Sequence, residues 1–462
     1  MCARHSGPSA THTGDRTARS TARVTAAVRA FVPSTRREAL ESVAFAAVVA
    51  AVVVAGYLQG AVTVVVALPA VLGTGSVALL QAIVACWTVS GLFTASLVAL
   101  FGQRAADSTE RLATTGPTVT AVVPVHRDAA ALHRAVESLL SSRYDDLRVV
   151  VVAEPDDSAS ITRAREYATD DRVDLLVNTR YPGSKAGAVN YAAEVTDSDY
   201  LAVFDADERV DPRFVPAAVA KLADCDVVQG RTVPEPDGVV ETVAYYESVV
   251  LGDLSQRLLT LATDFTMAAS RSVVMRRAAF ETVGGYDPAM LTEDYAFAFD
   301  CYEADLDVVE QHAFSSTIEG AHTITDWWGQ RKRWLTGYVQ VLHDRVAACR
   351  SPQNYRTLLA PLICAGSVFG NLFMLSLVPK AAVLVLEGAA AWLALPLVTL
   401  TAAALAMRAA DAREGRLETV GLGWLVTPVI LPLYSLAGIK ATVEYVTTWD
   451  GEWYSVAKGT GS

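Results

Sequence analysis

Apolar runs long enough to cross a membrane enclose a block of quite different character, and this layout restricts the fold more than any single motif. Residues 43–71 are almost wholly apolar ("VAFAAVVAAVVVAGYLQGAVTVVVALPAV"), "GTGS" at 73–76 breaks the run, and a second stretch continues to Phe101. Each can span a hydrocarbon core of roughly 30 Å as a helix, the form that satisfies its own backbone in lipid. Three further spans are expected near 357–379, 381–406 and 419–439, the last carrying Pro428 and Pro432 and so kinked or re-entrant. Seven Arg precede the first run, Arg104 follows the second, and Arg408, Arg413 and Arg416 lie between the last two spans. By the positive-inside rule the N-terminal tail and the central block face the cytoplasm at the cell membrane.

The expected organisation is a disordered tail over 1–40, two transmembrane helices over 41–102, a soluble domain over 117–350, about three transmembrane or re-entrant helices over 355–440, and a C-terminal tail over 441–462. A chain that is 52% hydrophobic yet 19% charged fits a membrane protein with one soluble domain. Net charge is −12, and only six of the 38 basic residues are Lys (185, 221, 332, 380, 440 and 458), which argues against a nucleic-acid partner. The six Cys are scattered without metal-finger spacing and read as free thiols in a reducing compartment.

Within 117–350, short β-branched runs ("TVTAVVPV", "LRVVVVAE", "VDLLVNT", "YLAVFDA", "CDVVQGRTV") alternate with stretches of helical apolar spacing. That alternation predicts a parallel, doubly wound α/β sheet with ligands at the C-terminal strand ends. At such an end lies "FDADERVDP", in which Asp205 and Asp207 can approach one divalent cation, Mg²⁺ or Mn²⁺ by their hard oxygen ligands, while Asp211 caps the turn before Pro212. Alone, such a pair is more often an ordinary acidic turn. Three more segments accompany it. "GSKAGAVNYA" (183–192) offers Lys185 to a phosphate; "GGYDPAMLTED" places Glu293 and Asp294 at a helix start with Thr292 as N-cap; "DWWGQRKRWLTGY" (326–338) carries Gln330, Arg331, Arg333 and Trp334. Taken singly, each has a plain structural explanation: a solvated Lys, dipole-favoured acids, an interfacial aromatic belt.

In this order, however, "VPVHRD", "GSKAGAVNYA", "FDADERVDP", "GGYDPAMLTED" and "QRKRW" resemble a membrane-embedded family 2 glycosyltransferase of inverting type, the group that includes cellulose, chitin and hyaluronan synthases. The resemblance covers roughly 118–340. It implies a GT-A (Rossmann-like) cytoplasmic domain flanked by transmembrane helices, and sugar transfer from a nucleotide diphosphate donor, UDP-sugar first among them, to a growing polysaccharide. It implies that Asp205 and Asp207 contact nucleotide and metal, that Asp294 is the base with Glu293 beside it, and that Lys185, Gln330, Arg331 and Arg333 face the donor. Trp334, with Asp294, would meet the acceptor.

This sequence departs from the family pattern at three places. "VVAEPDDS" stands where a uracil-reading acid is expected, so Glu154 is the nearest match, with Asp156 and Asp157 as rivals. Ala268, Ala269 and Ser270 replace a Gly-rich acceptor turn, and Asp128 stands where Glu is commoner. A non-processive enzyme adding one sugar to a polyprenyl-phosphate or glycolipid is the alternative within the class. A transporter or sensor with a nucleotide-binding domain would need neither Asp294 nor "QRKRW". The spans also lack a row of ionisable residues for ion coupling, Glu387 being the main candidate.

Overall fold

A computed structural model describes residues 36–61, 66–67, 74–75, 77–109, 111–417 and 421–449. Most of the expected N-terminal tail and the tail beyond Trp449 lie outside the described residues. Helix α1 (Arg36–Ala61) holds the first apolar run and ends well before residue 71; α2 (Val77–Ser108) holds the second. Between them Val66–Ala67 and Thr74–Gly75 pair antiparallel.

The central block forms a seven-stranded sheet from β1 (Val119–Val125), β2 (Leu147–Ala153), β3 (Val173–Val177), β4 (Tyr200–Val203), β5 (Val227–Pro234), β6 (Val273–Arg276) and β7 (Val308–Ile318), in the order β3-β2-β1-β4-β6-β5-β7. The first five are the strands that the β-branched runs indicate. The sheet is not wholly parallel, however: β6 runs antiparallel to both β4 and β5. Only four residues long, β6 is too short to show a period of its own. In β7, buried Glu310, Gln311, His312, Ser315 and Ser316 interrupt the apolar signal.

Both faces of the sheet are covered, so β1 reads as an unbroken apolar run rather than an alternating one. Alternate β1 residues feed two cores, Val119, Ala121 and Val123 on one side and Val122 on the other. The chain moves outward from β1 through β2 to β3, then returns to place β4 on the other side of β1. Strand order reverses between β1 and β4, where an open α/β sheet leaves a crevice at its C-terminal edge.

Helix α3 (Lys185–Val195) precedes β4, α4 (Glu293–Glu303) precedes β7, and α5 (Ile324–Ala348) leads to the C-terminal helices α6 (Tyr355–Leu386), α7 (Ala394–Arg413) and α8 (Thr427–Thr448). Among the described residues four helical stretches are long and apolar enough to cross a membrane: 79–108, 355–386, 390–413 and 423–448. The apolar part of α1 is shorter, Ala39–Ala55. Helix α6 runs unbroken through Pro379, so the boundary expected near 380 falls at Gly388 instead. Cys86, Cys225, Cys301, Cys349 and Cys364 are free thiols.

The soluble domain is keyed to these helices by a buried ionic junction. Asp411, at the end of α7 and fully buried, accepts from both Arg231 Nη atoms (2.7 and 3.0 Å), Arg104 of α2 (3.1 Å), Arg416 (3.2 Å) and the Tyr245 hydroxyl (2.7 Å). Arg231 lies on β5 and also holds Asp253 at 2.8 Å.

Candidate active site

The acidic turn begins where β4 runs out. Phe204 N donates to Val122 O (3.1 Å), after which Glu208 N donates to Asp205 O (3.1 Å) and the chain reverses. Arg209 then bridges to Thr317 of β7, and Arg134 Nε donates to Asp207 O at 2.8 Å, so the turn is gripped from both sides. Asp211 accepts from Arg213 N at 2.9 Å and pairs with its side chain, capping the turn as expected.

Glu208, the acid just beyond the pair, is a site residue that sequence reasoning passed over. It is fully buried beneath the turn, where it accepts from Asp205 N (3.1 Å) and from the Ser272 hydroxyl. Burial pushes its carboxyl up to about 7, helped by Asp205 and opposed by Ser272 and Ser316. The folded chain therefore keeps a proton between the ordinary value of 4.5 and about 7 that the unfolded chain has lost. The wild type should lose stability relative to Glu208→Gln as pH rises through that window. Thermal unfolding at pH 5 and pH 8 checks this: the stability difference in favour of Gln should grow at pH 8, and no change would mean that the carboxylate is ionised in the fold.

Lys185 is the first residue of α3, whose N-cap Ser184 accepts from Gly187 N at 3.0 Å. A Cβ at Gly187 would lie 2.2 Å from Tyr181 O, so only glycine lets the loop close this tightly. The closure brings the Lys185 ammonium onto Asp205. Burial alone would lower the Lys185 pKa, but Asp205, with Glu293 and Asp294 behind it, raises it.

Glu154, at the end of β2, is occupied by the chain itself. One oxygen accepts from Asn178 Nδ2 and the other from Gly183 N, both at 2.8 Å, so it fastens the loop that leads to Lys185. Asp157 caps the following helix through Ser160 N (3.1 Å) and accepts from Arg127 N, and Asp156 lies exposed beside His126 and Arg127. Glu154 and Asp128 both border the main cavity.

At the start of α4, Thr292 takes the N-cap position but its hydroxyl makes no capping bond, contrary to the expected role. Helix α5 crosses closely here: a Cβ at Gly337 would lie 2.4 Å from Thr292 Oγ1. Glu293 is buried and accepts from Ser270 Oγ at 3.0 Å; burial first, then the Asp294 charge, push its carboxyl up to about 7. Asp294, partly exposed, accepts from Tyr295 N at 2.8 Å. Gly337→Ala should force α4 off α5 and move Asp294, and a displacement near 1 Å costs about 10²-fold in rate. Turnover measured beside UDP affinity tests this, with the loss expected in turnover alone.

From α5, Arg333 donates to Leu291 O (3.2 Å) and faces Glu293, Asp294 and Asp205, although burial leaves its pKa below the ordinary value. Arg331 borders the same cavity, with its side chain engaged by the protein. Its Nε donates to Glu247 at 2.7 and 2.9 Å, Trp327 Nε1 shares the same carboxylate (2.7 Å), and its guanidinium lies 4.5 Å from the Trp334 ring centre. Gln330 accepts from Arg331. The Arg271 guanidinium lies 5.9 Å from the centre of the same Trp334 ring, so two cations approach this indole.

The structure thus brings Glu154, Lys185, Asp205, Asp207, Glu293, Asp294, Gln330, Arg331, Arg333 and Trp334 to one cavity of about 1780 Å³. That is more room than a single drug-sized ligand needs. Gln229, also not foreseen, holds its wall: Ala269 N donates to its Oε1 (2.6 Å) and its Nε2 donates to Arg271 O (3.0 Å). Among the described residues no group of three or more His, Cys, Asp or Glu side chains is arranged to hold a metal.

Residues 120–284 match the family model "Glycosyl transferase family 2". The chain is 23% identical over 234 residues to a poly-beta-1,6-N-acetyl-D-glucosamine synthase of Staphylococcus epidermidis, covering 48% of this chain and 55% of that protein. It is 21% identical over 231 residues to the probable glycosyltransferase YdaM of Bacillus subtilis, with the same coverage. The chain thus spans about half the length of the curated relatives it matches. In structure it is similar to the mannosyltransferase PcManGT of Pyrobaculum calidifontis, solved in complex with GDP-Man and Mn²⁺ (TM-score 0.50, 19% identity, 79% of this chain and 99% of that one), a likeness of fold. Residues 120–284 thus match the glycosyl transferase family 2 model, within a mixed α/β fold of the GT-A type that apolar helices border.

Proposed function

We propose that this protein is a membrane glycosyltransferase that moves a sugar from a nucleotide diphosphate donor, a UDP-sugar by preference, to a growing saccharide with inversion. The observation that carries the reading is the meeting of Asp205, Lys185, Arg333 and Asp294 in a cavity that continues onto α6. The relatives named above, one of them a polysaccharide synthase, agree with it.

The donor diphosphate would lie across the β4 turn. Asp205 and Asp207 supply hard oxygen donors that suit Mg²⁺ or Mn²⁺, and the phosphates would complete a ligand set that two carboxylates leave open. When bound, such a cation neutralises charge on the leaving diphosphate. Arg333 and Lys185 face the same region with fixed positive charge and need no reorganisation as that charge develops. Asp294 takes the proton of the acceptor hydroxyl as its oxygen attacks the anomeric carbon, and the bond to the diphosphate oxygen breaks with its electron pair. Glu293 serves differently: buried, with its carboxyl pushed up to about 7, it holds Ser270 in the acceptor wall. Arg331 braces Trp334 from behind rather than clamping phosphate.

The arginines that flank the apolar runs support a cytoplasmic domain at the cell membrane. Membranes containing the protein, supplied singly with labelled UDP-sugars and Mg²⁺ or Mn²⁺, test the reading. Labelled saccharide should appear with one donor and vanish in Asp294→Asn membranes; label that never leaves any nucleotide sugar would refute it.

A further inference from the structure

Four side chains of α5, those of Trp327, Arg331, Trp334 and Tyr338, follow one another at helical spacing and so share one face of the helix. Trp327 is fully buried, whereas Arg331, Trp334 and Tyr338 border the cavity. The Arg331 guanidinium contacts both indoles, 5.5 Å from the centre of the Trp327 ring and 4.5 Å from that of Trp334. One turn beyond Trp334, Tyr338 stacks on Tyr295 of α4 with ring centres 4.0 Å apart, and Tyr295 directly follows Asp294. At that end the face is registered against the base.

At the other end a single carboxylate fixes it. Glu247 is the last residue of the helix Val239–Glu247, and its side chain is only 6% exposed. Arg331 Nε donates to both of its oxygens, at 2.7 and 2.9 Å, and Trp327 Nε1 donates to one of them at 2.7 Å. The segment that carries it is anchored in turn, because Asp253, a little further on, pairs with Arg231 of β5 at 2.8 Å. A buried ion pair of this kind adds little net stability, since taking both charges out of water offsets their attraction. What it supplies is direction: held at its Nε edge, the guanidinium is kept over the Trp334 ring.

Resting on the glycosyl-transfer reading above, in which Trp334 meets the acceptor, we propose that Glu247 is a positioning residue for acceptor binding. It acts through Arg331 on the Trp334 ring and so sets that ring against Asp294 for the incoming saccharide. Donor affinity and proton transfer to Asp294 do not pass through it. Glu241, on the same helix, makes an equally short bond, 2.7 Å, to His322 ahead of α5 and serves as the control.

Two readouts on the full-length protein test this. In detergent, the emission of Trp334 is isolated as the difference between each protein and its Trp334→Phe counterpart, and acrylamide quenching reports how exposed that indole is. In Glu247→Gln the Trp334 emission should move to longer wavelength and be quenched more readily, with no such change in Glu241→Gln. In membranes given the labelled UDP-sugar that turns over, Glu247→Gln should form about tenfold less labelled saccharide, the equivalent of one charged contact. UDP affinity, and the release of UDP by attack of water, should stay at the wild-type level. In an Arg331→Met background Glu247→Gln should add nothing to either readout, because the path between the two residues is already cut. Glu247→Asp keeps the charge, strands no cation and shortens the arm by one methylene; it should give a smaller change of the same sign, and carries the test if Glu247→Gln does not fold. Additive losses with Arg331→Met, a Trp334 signal indifferent to Glu247, or an equal fall in UDP affinity would overturn the proposal while leaving glycosyl transfer standing. A wild type that neither binds UDP nor labels any saccharide would overturn both readings.

Discussion

Asp294→Asn is expected to cut sugar transfer by about 10²- to 10⁴-fold, the range a positioned base contributes, while UDP affinity stays close to that of the wild type. The change is nearly isosteric, and the hydrogen bond from Tyr295 N can be kept by the amide oxygen. What disappears is the ability to accept a proton. Glu293, although adjacent, cannot stand in: it is buried, engaged by Ser270, and held near 7 by burial and by Asp294 itself. In Asp294→Asn that last influence is gone, so Glu293 should ionise more readily without gaining access to the acceptor. The donor contact of Lys185 with Asp205 lies on other elements and should persist, and Arg333 keeps Glu293 and Asp205 beside it. Isothermal titration with UDP beside a turnover assay decides the matter. A parallel fall in both would give Asp294 a structural role.

The second large effect is on stability. Asp411→Ala would leave buried Arg231 with Asp253 alone, and Arg104 and Arg416 sharing Glu414, whose side chain is 36% exposed. Removing one member of a buried ionic group costs about 3–5 kcal/mol, because the partner charges stay out of water uncompensated. An exposed pair such as Arg148 with Asp174 has the same kind of contact, 2.9 Å, but both side chains are more than half exposed. Such pairs contribute only about 0–1 kcal/mol, so Asp174→Ala is the fitting control. Thermal unfolding in detergent should show a fall of several degrees or more for Asp411→Ala and almost none for Asp174→Ala. Equal midpoints would mean that the junction is solvated.

Which parts of this were legible beforehand follows from how far apart the interacting residues lie. The β4 turn was readable because an apolar strand and its acids are contiguous, "YLAVFDAD". Lys185 was readable because a lysine among small residues stands out in an Arg-rich chain. The partner of Arg331 was not, since Glu247 lies 84 positions away and looks like any helical acid. Glu208 was hidden by its neighbours: one acid in an acidic run gives no sign that it is the one buried completely. Thr292 was assigned to capping from residue type, whereas its hydroxyl makes no capping bond where α5 passes closely at Gly337. Asp411 had the opposite problem, being a single acid at the end of an apolar run, with its partners drawn from α2, β5 and the segment after α7.

Strand β5 has two attachments two positions apart. Arg231 ties it to the end of α7, and Gln229 carries the backbone of the acceptor wall at Ala269 and Arg271. Strand pairing keeps those two points at a fixed separation. A helix that tilts to suit a thicker or thinner bilayer therefore cannot do so independently of the acceptor wall. Lipid thickness and acceptor geometry are in this way mechanically geared through a few residues of one strand.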